Sequence, residues 1–321
     1  MSRLKAALVT GASTPLGRRL CSALVDAGVR VLAVGLEAVD GVDLPEPVQY
    51  ERVDLSRPRE LHDLFFGKAK QLAVDTVFHL ATHRRLDAKG ERVHALNVEA
   101  LRQMLQASEK HPSITRFVYR SFAEVYRVEQ GFSSLVDEEQ PLDLSTGAPQ
   151  WQRDRVEADL LACSRMGMTK LEIIVLRCAD VYAADSGSQM HDYLRSYVCL
   201  RPLGFDPMIN LLAIDDAVAA LLRAGQVAQV QGVFNVPGRD VLPLAACVRV
   251  AHRLDVPLPG PIVSALYTLR RRTIGAQFSY RLSGQRLHFP SLLDGRRAAG
   301  TLGYKPQRSA LRPERWLVTG V

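Results

Sequence analysis

The sequence predicts an α/β fold, a doubly wound parallel sheet with a smaller C-terminal lobe interleaved with its last elements. Three observations predict it. Short apolar runs alternate with amphipathic helical segments as far as residue 177. The connections between them are short. The first apolar run leads directly into a glycine loop that opens a helix.

Taken in order, KAALVT (5–10) reads as a buried first strand, and PLGRRLCSALVDAG as a helix closed by Gly28. VRVLAVG (29–35) and VQYERVD (48–54) are strands two and three, HDLFF (62–66) is a short helix, and VDTVFHLAT (74–82) is strand four. ERVHALNVEALRQMLQASEK (91–110) carries apolar residues at helical spacing, and ITRFVYRS (114–121) is strand five. A loop at 127–149 leads to a helix that begins near Pro149, and LEIIVLR (171–177) is strand six. Beyond Arg177 the pattern loosens. A strand–helix pair at 208–225, a strand at 232–238 and a helix at 242–254 stand among mixed Pro-, Gly- and Arg-containing segments. The expected division is a dinucleotide-binding domain at 1–177 and a substrate lobe at 178–321, with about 208–238 returning to the sheet.

A chain of 321 residues, 47% apolar, with a mean hydropathy of −0.03, can bury a large core. It has no apolar run of membrane-spanning length, so no transmembrane segment is expected. The opening Met-Ser-Arg-Leu-Lys leads into an apolar segment of only about seven residues, the pattern of a buried strand rather than a signal peptide, and the cytoplasm is the expected compartment. Five scattered cysteines without a C-x-x-C spacing argue against a metal site or a disulfide framework. The formal net charge is +7, but only seven of the 41 basic residues are lysines, and no basic stripe is interleaved with aromatics. Nucleic-acid binding is therefore not expected. The run Arg270–Arg271–Arg272 reads as a solvated face.

VTGASTPLGRRL (9–20) places Gly11 at a tight turn and Gly17 where helix and strand pack closely, with the helix N-terminus facing an anion such as a pyrophosphate. An acid at the end of strand two would grip the adenine ribose, but that position is Gly35; Glu37 lies two residues further on. Asp54, after strand three, is placed either to accept from an adenine amine or to cap the next helix.

These segments together resemble the extended short-chain dehydrogenase/reductases, the NAD-dependent epimerase/dehydratase family that includes UDP-glucose 4-epimerases. TGASTPLG resembles T-G-x-x-G-x-x-G with Thr14 at the middle glycine, and VDTVFHLAT resembles D-x-V-x-H-L-A-A. ALNVEALRQML, RFVYRSFAEVY, VDEEQPLDL, IIVLRCADVY, LLAIDDAVAALL, GVFNVPG and AAGTLGYKP follow in the family's order over nearly the whole chain. The resemblance implies a Rossmann domain holding NAD or NADP. It puts the cofactor against Gly11, Ser13, Thr14, Leu16, Gly17, Asp54, Leu55, Leu80, Ala81, Asn97 and Arg155. It also implies a small-molecule ligand and a homodimer paired through the helices at 91–110 and 152–167.

The family's chemistry is hydride transfer, with a tyrosine as acid–base, a lysine four residues on that lowers its pKa, and a serine or threonine on strand five. The resemblance places Phe122 at the hydroxyl position, Trp151 at the tyrosine and Arg155 at the lysine. Phenylalanine has no hydroxyl, indole only donates, and arginine stays charged. No Y-x-x-x-K occurs elsewhere. Glu124 could act as a base or be held by hydrogen bonds; Asp154 reads as a helix cap. Tyr126 is expected to line the sheet's carboxyl edge or to pack. Phe122 and Trp151 are expected to form an aromatic floor, with Arg155 directed at a ribose, a phosphate or a carboxylate. Two classes of function remain: a dinucleotide-binding protein without catalysis, acting as sensor or scaffold, and an enzyme with unconventional groups acting on a nucleotide-sugar or lipid-like substrate. The apolar and basic segment 257–290 would suit a lipid-linked or phosphorylated ligand as well as a nucleotide-sugar.

Overall fold

The structure, a computed structural model, describes residues 4–38 and 41–311. The chain runs β1 (Ala6–Thr10), α1 (Pro15–Asp26), β2 (Arg30–Gly35), β3 (Gln49–Arg52), α2 (Pro58–Asp63), β4 (Thr76–His79), α3 (Glu91–His94), α4 (Ala100–Lys110) and β5 (Arg116–Phe122). It continues through β6 (Leu135–Val136), α5 (Gln150–Ser164), β7 (Glu172–Cys178), β8 (Asp180–Val181), α6 (Gln189–Arg195), β9 (Val198–Pro202), β10 (Met208–Leu212), α7 (Ile214–Gln226) and β11 (Gly232–Val236). The last elements are β12 (Asp240–Pro243), α8 (Leu244–Val250), β13 (Leu254–Leu258), α9 (Gly260–Ile274), α10 (Tyr280–Ser283), β14 (Leu292–Leu293) and α11 (Arg296–Thr301).

Seven strands form one parallel sheet in the order β11-β7-β5-β4-β1-β2-β3. This is the doubly wound α/β architecture the alternating pattern predicts. Helices cover both faces, which is why β1 reads as an unbroken apolar run and is wholly buried. Leu20 and Leu24 of α1 and Leu221 and Ala224 of α7 pack on one face. Leu101, Met104 and Leu105 of α4, with Ala158 and Ala162 of α5, pack on the other. Strand order reverses between β1 and β4, and this leaves a crevice beyond their carboxyl ends. A third cluster, with Tyr193, Tyr267 and Phe278 in edge-to-face contact, forms the core of the C-terminal lobe.

Three local readings shift. The helix expected at 62–66 begins at Pro58, whose fixed φ suits a first helical position, and runs on through a π-helical segment at Leu64–Ala69. The helix at 91–110 is continuous but contains a π-helical segment at Ala95–Glu99. The segment at 242–254 begins as β12, paired antiparallel with β10, and is helical only from Leu244 to Val250. No helix of the described residues is long and apolar enough to cross a membrane.

One buried network ties α5 to the sheet. Asp159 of α5 accepts from Arg177 of β7 at 2.6 and 3.1 Å, and from the Ser121 hydroxyl of β5 at 2.5 Å. Arg177 also donates to the Tyr126 hydroxyl at 3.0 Å, which donates to Asn235 of β11 at 2.6 Å. Burial pulls the Arg177 pKa down, but Asp159 and Tyr126 outweigh it and hold the guanidinium charged. Removing one member leaves a buried charge unpaired. Asp159→Ala is expected to lower unfolding free energy by about 3–5 kcal/mol in denaturant titration. Asp159→Leu combined with Arg177→Met recovers most of that loss; a double variant no more stable than Asp159→Ala would contradict the pairing account.

Candidate functional site

The glycine loop joins β1 to α1 in the crevice. Gly11 has φ +68°, and a Cβ there would come within 3.0 Å of the Ala81 backbone. A Cβ on Gly17 would lie 2.3 Å from the Gly11 carbonyl oxygen. Thr14, at the family's middle glycine, braces the turn: its hydroxyl donates to Gly11 O at 2.8 Å and accepts from Gly17 N at 3.0 Å. The Ala12 and Thr14 amides bond to Val34 O and Gly11 O, and Pro15 has none. The Ser13 and Leu16 amides are therefore the loop's remaining donors for an anion.

A cavity of about 550 Å³ opens beside this loop. Gly11, Ser13, Thr14, Asp54, Leu55 and Ala81 line it. The side chains of Leu16 and Leu80 and the whole of Gly17 are buried beneath it. The Thr10 hydroxyl joins the two strand ends, accepting from the Leu80 and Ala81 amides at 3.2 and 3.3 Å and bonding His79 Nδ1 at 2.8 Å. Burial holds His79 at a pKa of about 3, so this imidazole is neutral. Asp54 accepts from Ser56 N at 3.1 Å and Ser56 Oγ at 2.6 Å, which makes it a turn brace as well as a wall of the cavity.

Glu37 also lines the cavity, and its carboxylate leans back over Gly35. Burial raises its pKa, but a hydrogen bond from Ser13 and the nearby charge of Arg84, 3.6 Å away, outweigh this and hold it ionised. The absence of a Cβ at Gly35 leaves the space this needs: one would fall 3.2 Å from Glu37 Oε2 and 2.6 Å from the Tyr50 hydroxyl. Asn97 lies in the π-helical segment and stands behind the cavity wall. It accepts from the His83 amide at 2.8 Å and donates to Asp154 at 3.2 Å. Asp154 faces Asn97 and His94, with His94 Nδ1 3.0 Å away, so it is not the helix cap expected from sequence; Pro149 occupies the cap position.

Phe122, Trp151 and Arg155, expected from the resemblance at the family's catalytic positions, come together at the carboxyl end of β5. The Phe122 ring lies between two guanidinium groups, Arg155 at 3.7 Å and Arg120 at 4.0 Å. Arg155 stands 5.0 Å from the Trp151 ring and pairs with Glu124 at 3.3 Å. The expected aromatic floor is thus two rings joined through Arg155. Of the partners expected for it, Arg155 meets the carboxylate, Glu124; it does not line the glycine-loop cavity. Among the described residues, Trp151 Nε1 and Arg120 Nε are buried without a hydrogen-bond partner. Arg286 of the C-terminal lobe donates to Ala123 O at 3.3 Å. Burial raises the Glu124 pKa, but Arg155, Arg286 and Arg120 outweigh it and keep the carboxylate ionised. Asp180, which accepts from Met190 N at 3.1 Å, has no such surplus; burial and the Glu124 charge push it up to about 6. Tyr126 is buried with its hydroxyl committed to Arg177 and Asn235.

Sequence reasoning passed over Arg120, Asp180 and Arg286. Arg120 carried a signal, since a charge inside a strand covered on both faces needs a specific partner. Arg286 carried none, because no pattern pairs position 286 with position 123.

A second cavity of about 650 Å³ lies between the loop after β8, α6 and the C-terminal lobe. Arg84, Arg85, Arg195, Arg253 and Arg271 line it, with Asp87, Asp185 and Asp192. Tyr182 and His191 meet edge-on in its wall, ring centres 5.3 Å apart. Arg84 and Arg85 belong to both cavities.

The family model of the NAD-dependent epimerase/dehydratase family matches residues 7–236. An uncharacterized protein of Mycobacterium tuberculosis is 29% identical over 317 residues, covering 94% of this chain and 80% of its own. Among solved structures, an epimerase of Methanothermobacter thermautotrophicus superposes with a TM-score of 0.73 at 17% identity, over 98% of this chain and 92% of the other. The UDP-glucuronic acid 4-epimerase of Bacillus cereus, in complex with UDP-glucuronic acid and NAD, gives 0.71 at 17% identity, over 95% of each chain.

The raised Asp180 pKa has a signed consequence. The native state holds this proton more tightly than the unfolded chain does, so wild-type stability falls as pH rises from about 4 to about 6 and stays lowered above that. Asp180→Asn removes the penalty. The variant's gain in Tm over wild type should be larger at pH 7.5 than at pH 4.5; an equal gain at both would contradict the assignment.

Proposed function

The chain belongs to the NAD-dependent epimerase/dehydratase family, and from that membership we propose that it binds a nicotinamide dinucleotide and a small anionic molecule side by side without the family's tyrosine–lysine proton relay. The observation that carries the reading is the Arg120–Phe122–Arg155 stack. It fills the place where the relay's hydroxyl and ammonium groups would meet, and it offers no group that titrates near neutral pH. The cofactor's pyrophosphate meets the Ser13 and Leu16 amides at the N-terminus of α1, with the adenosine half toward Glu37 and Asp54. The anionic ligand takes the arginine-lined second cavity, as the UDP-glucuronic acid of the Bacillus cereus enzyme invites. When bound, the dinucleotide supplies a hydride acceptor or donor at its nicotinamide. This chain's residues bind and orient it.

In this reading the cofactor belongs to 1–177 and the ligand lobe is 178–321, with about 208–238 returning to the sheet. Pairing of two copies through the helices at 91–110 and 152–167 belongs to the same reading; Leu160 is exposed on that side. A catalytic alternative rests on one observation: Glu124 and Asp180 are neighbouring half-buried carboxylates pushed to opposite sides of the ordinary range, the pattern of an acid–base pair.

Glu37 sets the choice of dinucleotide. Its carboxylate accepts from free ribose hydroxyls and repels a 2′-phosphate, so calorimetric titration should show NAD(H) bound about tenfold or more tighter than NADP(H). Glu37→Ser should narrow that ratio. Gly17→Ala, folded as judged by circular dichroism, should lose binding of both and of ADP-ribose. Wild type that binds none of the three contradicts the reading.

A further inference from the structure

α9 is a 15-residue helix whose Val263 and Tyr267 face the lobe core. Its outer side carries Ile262, Leu266 and Leu269, exposed by 47%, 36% and 56%, at the i, i+4, i+7 spacing of a single stripe. Ile274, in the last turn, is 76% exposed but lies off this stripe. As the outward face of a helix whose buried side meets the lobe core, the stripe is convex, a ridge.

The segment that carries the ridge has charge of one sign. Residues 256–293 contain no aspartate or glutamate and five arginines: 270, 271, 272, 281 and 286. The acids that bound this segment are already paired, Asp255 with Arg201 at 2.9 Å and Asp294 with Arg296 at 2.5 Å. Arg270 and Arg271 turn inward, to Val198 O and to Asp87 with Ser279. Arg286 turns to Ala123 O. Arg272 and Arg281 are exposed and have no carboxylate partner among the described residues.

We propose that this face of α9 lies on an anionic membrane surface. An apolar ridge on a segment without acids, with the exposed Arg272 beside it, fits the boundary between headgroups and acyl chains: Ile262, Leu266 and Leu269 enter it while Arg272 meets anionic headgroups. A soft bilayer accepts a convex ridge, whereas a protein partner would need a matching groove. Charge complementarity selects anionic over neutral lipid. Arg271, on the opposite side of the same helix, lines the second cavity, so α9 would form the wall between that cavity and the bilayer. The proposal stands apart from the reading of the cofactor site, because nothing in it depends on a nucleotide.

The test is co-sedimentation of the full chain with extruded vesicles, one set of phosphatidylcholine alone and one containing about one quarter phosphatidylglycerol. Binding is expected to the anionic vesicles, weakening as salt is raised. Leu266→Asp with Leu269→Asp should lower the partition coefficient about tenfold or more, and Arg272→Glu should lower it on anionic vesicles alone. Circular dichroism and Tm close to wild type show that the variants fold, as surface substitutions should. Three results would overturn the proposal: no binding to either vesicle, a leucine variant that binds as wild type does, or a wild-type dimer that the leucine variant converts to monomer in light scattering, which would assign the ridge to a second copy.

Discussion

The buried pair between Asp159 and Arg177 is the constraint on which the site depends. Its two charges lie under α5, where water cannot screen them, and each hydrogen bond around them fixes a different element. Ser121 fixes the end of β5, Tyr126 the turn after it, and Asn235 the end of β11. Such a pair adds little net stability over an apolar packing of the same volume, but it permits one arrangement of its neighbours. Asp159 lies one helical turn beyond Arg155 and two beyond Trp151, so anchoring it also fixes where those two side chains emerge.

On the proposed reading, what emerges differs chemically from a proton relay. A relay needs a hydroxyl whose pKa can be brought near neutrality and a cation that tunes it. Here an aromatic ring lies between two guanidinium groups, and the nearest carboxylate is held ionised by three arginines. Arg155 keeps the positive charge that a lysine would bring, but its planar fork stacks on Phe122 and bonds Glu124. The cluster around Glu124 draws Arg286 from the C-terminal lobe, so the two lobes meet at this point through charge as well as through apolar contact.

The parallel sheet was legible because helices cover both of its faces, so that β1 and β2 read as nearly unbroken apolar runs. The glycine loop was legible because Gly11 and Gly17 answer to backbone geometry, positive φ in one case and a 2.3 Å approach in the other. Glu37 was visible in the sequence but weighed too lightly: the count from Gly17 ended at Gly35, and only the folded chain shows the carboxylate leaning back over it. Asp154 was misread because an acid near a helix start resembles a cap, while its partners His94 and Asn97 lie about 60 residues away. The pairing of Arg155 with Glu124, and of Arg286 with the turn at 123, joins distant segments through side-chain charge, and no periodicity records such contacts.

The central claim is that the fold keeps a dinucleotide site while the residues around Phe122 prevent hydride transfer by the usual relay. The direct measurement is absorbance at 340 nm during incubation of NAD with a panel of UDP-hexoses and UDP-hexuronates, for wild type and for the triple variant Phe122→Ser, Trp151→Tyr, Arg155→Lys. The account predicts no reduced nicotinamide with wild type and a rise with the triple variant, whose fold Asp159 and Arg177 still hold. Wild type that reduces NAD as fast as the triple variant would contradict it.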